Sequence, residues 1–264
     1  MFTEVVKNSM RVALVLSQKS FRRAIRGKIF IVFLLFAIIM IFASLLFESL
    51  TFTAKLKIIK DVGLTGISIF SGLICIFLSG EAIVGEVERK NVYILFSKPV
   101  SKASFIIGSF LGIVWTTLLA LLISGIAFLM LVYLKQGYIE PQLLLTIGFS
   151  GMEIIVITSI GVMFSSFSSS ATVATLLCFS VYILGHLNPQ LALLARSIHN
   201  KSIKELISIT RFVLPNLDYF NLREKIARGY HIDPFTTGKI IIYTFIYSGI
   251  MLTLAYLFFR KREL

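Results

Sequence analysis

The sequence predicts an all-α membrane protein with six transmembrane helices. Three observations carry that prediction. Of 264 residues, 57% are hydrophobic and 15% charged, with a mean hydropathy of +0.90; a soluble domain is ordinarily about a quarter charged. The apolar residues fall in uncharged runs close to the roughly 20 residues a helix needs to cross about 30 Å of hydrocarbon. The basic residues behind the net charge of +13 sit at the ends of those runs. That placement follows membrane topology and anionic headgroups, not a continuous basic face, so nucleic acid is not an expected partner.

Residues 1–28 contain seven basic residues and one acid, interspersed with Val5, Val6, Met10, Val12, Ala13 and Leu16. This mixture predicts an amphipathic helix in the membrane interface. The cluster from Phe21-Arg22-Arg23 to Arg26-Gly27-Lys28 marks a cytoplasmic flank, and no cleavable leader is expected. The first span is predicted at 29–47. The second, at 62–80, carries Gly63, Gly66, Ser68, Ser71 and Gly72, which permit close helix contact.

Glu81, Glu86, Glu88, Arg89, Lys90, Lys98 and Lys102 then crowd between two apolar runs. They predict a loop on one aqueous side with a short helix in it. Ile83, Val87 and Ile94, with Tyr93, share a face near helical spacing, and Glu86, Arg89 and Lys90 fall elsewhere on the wheel. Pro99 has no amide hydrogen and disfavours helix at Lys98, so the short helix should stop before it. Ser101 or Ser104 is the expected cap of the next helix.

The third span is predicted at 105–134. Its uncharged run exceeds one bilayer crossing, which predicts tilt or protrusion, and Gly108 and Gly112 form a GxxxG pair. The fourth span, 143–167, meets the fifth, 171–187, at a polar turn over Ser165–Ser170. Residues 188–238 form one long loop with Leu191, Leu194 and Ile198, then Ile203, Leu206 and Thr210, at helical spacing. Leu214-Pro215-Asn216-Leu217-Asp218-Tyr219-Phe220-Asn221 interrupts it. The sixth span, 240–259, runs into Arg260-Lys261-Arg262. The expected division is an interfacial segment, 1–28, and a six-helix domain, 29–264. The seven N-terminal basic residues set both termini in the cytoplasm and the long amphipathic loop outside.

Chemistry is sparse. Cys75 and Cys178 lie inside apolar runs, and the three His lack ligand-spaced neighbours, so no metal is expected. Glu153 is the one acid inside a span, where a charge costs about 2.5–3.5 kcal/mol on insertion scales. Two readings stand for it: it lines a substrate or proton path, or it packs, hydrogen-bonded to a Ser or Thr or facing a subunit seam. His186, near the end of the fifth span, reads as a neutral interfacial residue. Gly238-Lys239 precedes Ile240, and Asp233 occupies the first-glycine place of a phosphate-binding loop, so no such loop is present. No G-x-S-x-G or H-E-x-x-H motif occurs. The chain is therefore not expected to be an enzyme, and any ATP must be hydrolysed by another chain.

The Glu-rich short helix, followed by Leu95-Phe96-Ser97-Lys98-Pro99-Val100-Ser101-Lys102 and by Phe105 to Gly108 opening a span, resembles the second cytoplasmic segment of ABC-2 type permeases, the membrane subunits of type-two ABC exporters. The order of features resembles that family along essentially the whole chain. Many relatives have Glu-Arg-Gly-Thr where this chain has Glu88-Arg89-Lys90-Asn91. The resemblance implies that the short helix is a coupling helix seated on a separate cytoplasmic ATPase, with Glu86, Glu88, Arg89, Lys90 and Tyr93 as contacts. It implies ATP and Mg on that partner with no cofactor on this chain, and a second permease subunit, identical or related. It also implies the cytoplasmic (inner) membrane of a prokaryote. The expected function is ATP-driven export. The alternatives are a non-transporting membrane subunit that assists maturation or assembly of an extracytoplasmic protein, and an intramembrane enzyme.

Overall fold

The computed structural model describes residues 2–49, 55–97, 100–197, 214–221 and 234–262. Each predicted apolar run is helical. In chain order the helices are α1 (Phe2–Ile25), α2 (Lys28–Ser49), α3 (Lys55–Glu81), α4 (Val84–Glu88), α5 (Asn91–Phe96), α6 (Lys102–Gln136), α7 (Pro141–Phe167), α8 (Ala171–His186), α9 (Asn188–Ser197) and α10 (Pro234–Lys261). A short 3-10 turn covers Leu217–Phe220.

Among the described residues, α3, α6, α7 and α10 are long and apolar enough to cross a membrane. A fifth joins them if α1 and α2, bent by 62°, count as one span. By itself α2 has 22 residues and coincides with the first predicted run. The fifth predicted run is α8, with 16 residues; at 1.5 Å per residue that is about 24 Å, short of the hydrocarbon thickness.

Helices outrun the apolar stretches that announce them. α3 begins at Lys55, in what reads as a loop, because helical hydrogen bonds form in water as well as in lipid. Its first turns are held by Lys60, whose Nζ donates to Glu140 Oε1 at 2.6 Å. Glu140 also accepts from Gln136 Nε2 at 3.0 Å, so one carboxylate ties the start of α3 to the α6–α7 turn. Gly137 closes α6 in the left-handed region, φ 80°, where a side chain would be strained. At the other end of α6, Ser101 is the cap, its hydroxyl accepting from the Ser104 amide at 3.1 Å.

With 35 residues, α6 is about 52 Å long, and its excess length is clad by protein. α1 lies along its first turns in the seat made by the GxxxG pair. A Cβ on Gly108 would sit 2.8 Å from the Ala13 carbonyl oxygen, and one on Gly112 2.6 Å from that of Ser17. Ala13 and Leu16 are buried while Leu14 and Val15 are exposed, so the helix is amphipathic, with its apolar stripe turned to protein. Val5, Val6 and Met10 have side chains outside the described set.

α3 is central and packs on α2, α6, α7 and α8; α10 packs on α7. α3 and α8 meet closely at Gly80, where a Cβ would lie 2.8 Å from the Thr175 Cα. The main core joins Ile67, Ile76, Phe128, Phe149 and Ile157. Leu217 and Phe220 belong to the same core, so the Pro-containing octet inserts into the bundle, where the Asn216 amide donates to the Tyr243 hydroxyl at 3.0 Å. α9 covers Leu191 and Leu194 of the long loop; Ile198, Ile203, Leu206 and Thr210 lie outside the described residues.

Candidate functional site

The charged stretch between α3 and α6 folds as two short helices instead of one. After Glu88 the chain turns at Arg89 and Lys90, whose amides donate to the carbonyls of Gly85, at 3.2 Å, and Val87, at 2.9 Å. Lys90 has φ 56°, the left-handed region that side chains resist. α5 then restarts at Asn91. The Glu-Arg-Gly-Thr pattern that this stretch resembles has glycine at this position, where a left-handed residue favours it.

Two faces result. Ile83 and Val92 are buried in a second core cluster with Phe105, Ile106, Phe110 and Phe259, and Val84 is buried too; Val87, Leu95 and Phe96 pack on the cluster's edge. Phe96 meets Phe105 with ring centroids 6.0 Å apart and Phe259 at 6.2 Å, which fixes α5 against α6 and α10. The opposite face exposes Glu88, Arg89 and Lys90. The Ile94 and Tyr93 side chains, with Lys98 and Pro99, lie outside the described residues.

Three of the charged residues bond within the protein. Glu86 is nearly buried and pairs with Arg23 of α1. Arg89 pairs with Glu81 at the end of α3. Glu88 Oε1 accepts from the Ala171 amide at 3.2 Å, so a carboxylate sits at the first turn of α8, where the helix dipole favours it. Lys90 has no ion pair among the described residues. Burial lowers the Arg23 guanidinium pKa, the nearby Arg89 charge lowers it further, and Glu81 acts the other way.

Ser165 of α7 makes the junction rigid. Its hydroxyl accepts from the Ile83 amide at 3.0 Å and the Val84 amide at 3.1 Å, and donates to the Gly80 carbonyl at 2.8 Å. A helix end leaves such groups without partners. One donor and two acceptor sites exhaust a hydroxyl, so this side chain caps the end of α3 and the start of α4 together. α4 and the residues that flank it are thereby bonded to α1, α3, α7 and α8.

Glu153 is 5% exposed and lies within α7. His186 Nε2 of α8 is 3.3 Å from its Oε1, without hydrogen-bond alignment. His186 Nδ1 contacts the Tyr182 carbonyl oxygen at 3.1 Å. A carbonyl only accepts, so Nδ1 carries hydrogen and Nε2 is the ring nitrogen turned toward Glu153.

Sequence reasoning missed three partners. Arg23 was one of a basic cluster, and Ser165 one of a run of serines. His186 had a usable signal: it lies 15 residues after Ala171, and Glu153 lies 14 before Phe167. An antiparallel helix pair brings residues equally far from its turn to one level.

A family model described as ABC-2 family transporter protein matches residues 14–264. The comparison with curated proteins gave no match.

Proposed function

The chain belongs to the ABC-2 transporter family, and we propose that this multi-pass membrane permease is the coupling subunit of an ATP-driven exporter. Its spans are α2, α3, α6, α7, α8 and α10, an even number that puts both termini on the cytoplasmic side with the basic N-terminal segment. Residues 1–28 form the flanking segment and 29–264 the permease domain. α8 crosses despite its length because α9 follows it after one residue and local thinning of the bilayer tolerates modest mismatch.

α4 and α5 are the coupling element. A separate cytoplasmic ATPase, holding ATP and Mg, docks on the face bearing Glu88, Arg89 and Lys90, with Tyr93 as a further contact, while Glu86 works inward through Arg23. Closure of the ATPases pushes α4, and its four attachments pass the motion to α1, α3, α7 and α8. Two permease subunits, identical or related, then switch between two packings and expose a path at their seam alternately to each side. The membrane is the inner membrane of a prokaryote. Glu153, facing His186 inside the bundle, is a pathway or packing residue of the same moving helices.

One observation carries the reading: a charged, exposed turn is bonded through Ser165, Arg23–Glu86 and Glu88–Ala171 to separate helices. Co-purification of the ATPase tests it. Lys90→Glu, at an exposed residue, should weaken recovery about tenfold by like-charge repulsion with the acidic groove that a lysine complements, and Tyr93→Ala about as much through loss of its ring. Normal recovery and normal stimulated ATP hydrolysis in both variants would overturn the coupling assignment.

A further inference from the structure

Where the α1–α2 bend meets the end of α3 and the side of α6, a cavity of about 270 Å³ is lined by Arg23, Lys28, Arg89 and Glu81, with the Ser20 and Ser109 hydroxyls. An apolar groove of about 570 Å³ lies beside it between α2, α3 and α8, lined by Phe33, Phe77, Leu176 and Phe179. Ile29 and Glu81 line both, so the two spaces adjoin. We propose that together they hold one anionic glycerophospholipid, its phosphodiester in the cavity and an acyl chain in the groove. The site goes beyond transport coupling and depends on neither the ATPase nor the cargo.

Charge favours this occupant. Arg23, Lys28 and Arg89 line the cavity with Glu81; Arg23 pairs with Glu86, outside the lining, and Arg89 with Glu81. Lys28 is left with no ion pair among the described residues, so the cavity has one positive charge in excess. Each guanidinium has five donors, more than its carboxylate partner engages, and arginines hold phosphate through such remaining N–H groups. Arg23 and Arg89 are near enough to repel each other, and an anion between them relieves that repulsion. The position fits as well. The cavity lies where α2 begins and α3 ends, at the limit of two apolar runs, which is where headgroups lie. The groove has the size and the mostly apolar lining of ordinary ligand sites, about 300–1,000 Å³.

The test is native mass spectrometry of the whole delipidated chain, titrated with phosphatidylglycerol or phosphatidylcholine of identical acyl chains. Phosphatidylglycerol should bind at least about fivefold more tightly, the effect of roughly one basic contact. Lys28→Gln should remove that preference. Leu176→Trp, which fills the groove without changing charge, should weaken phosphatidylglycerol binding. Lys19→Gln, exposed on α1 outside the cavity, should leave binding unchanged. Equal affinity for the two lipids overturns the proposal. So does an equal loss in Lys19→Gln, which would mean diffuse surface attraction. Complete displacement of the lipid by inorganic phosphate at matching concentration would reassign the cavity to a free anion and also overturns it.

Discussion

Replacing Ser165 by alanine removes one oxygen and, with it, the caps of two helices. The side chain is fully buried, so water does not stand in freely for the lost hydroxyl. The amides of Ile83 and Val84 and the carbonyl of Gly80 are left without their partner. A buried polar group without a partner costs about 1–3 kcal/mol. At the lower figure, three such groups sum to about 3 kcal/mol, which makes local opening roughly a hundredfold easier. Because the loss is confined to the α3–α4 junction, it should appear there first. Hydrogen–deuterium exchange of peptides spanning residues 80–88, in detergent, should accelerate by about that factor, with α6 peptides unchanged. Ser165→Thr keeps the hydroxyl and should restore protection in large part. Exchange at 80–88 in Ser165→Ala equal to the wild type would refute the capping argument. An equal acceleration throughout α6 would refute its local character.

The Lys60 and Gln136 hydrogen bonds hold the Glu140 carboxyl below its ordinary value of 4.5. A depressed carboxyl contributes stability above its unfolded pKa and loses it as pH falls through the folded one. The stability difference between wild type and Glu140→Gln should therefore be level from pH 7 to about 5 and shrink below 4.5. Being partly exposed, the pair should be worth no more than about 1 kcal/mol, and a melting difference independent of pH would show the ion pair to be idle. Glu153→Gln and His186→Gln should be non-additive in detergent unfolding, with a coupling near 0.6–2 kcal/mol, the range of polar contacts between membrane helices. Additive effects would mean that the two side chains do not interact.

Hydropathy located the helical runs well because lipid demands continuous apolar stretches with every backbone group bonded internally. It located helix ends poorly, since it reports the hydrocarbon slab and not where hydrogen bonding stops. Lys55, Lys57 and Lys60 on α3 show this. The break at Lys90 was hidden for another reason: a lysine gives no turn signal, and only the glycine of relatives hints at a left-handed residue. The apolar face of the charged stretch was legible through Ile83 and Val87. The partners of its charges were not, because Glu86 and Arg23 are 63 positions apart in the sequence and nothing local selects one arginine among several. The GxxxG pair was visible in the sequence, but that α1 seats on it was not.

The account stands on the claim that the α4–α5 turn touches the ATPase. A photoreactive benzoylphenylalanine at Lys90, with a control at Glu140 in the α6–α7 turn, tests that contact directly in intact membranes. The account predicts a light-dependent adduct of permease plus ATPase from position 90, identified by mass spectrometry, and none from position 140. An adduct from 140, or none from 90 while the ATPase is present and active, would contradict it.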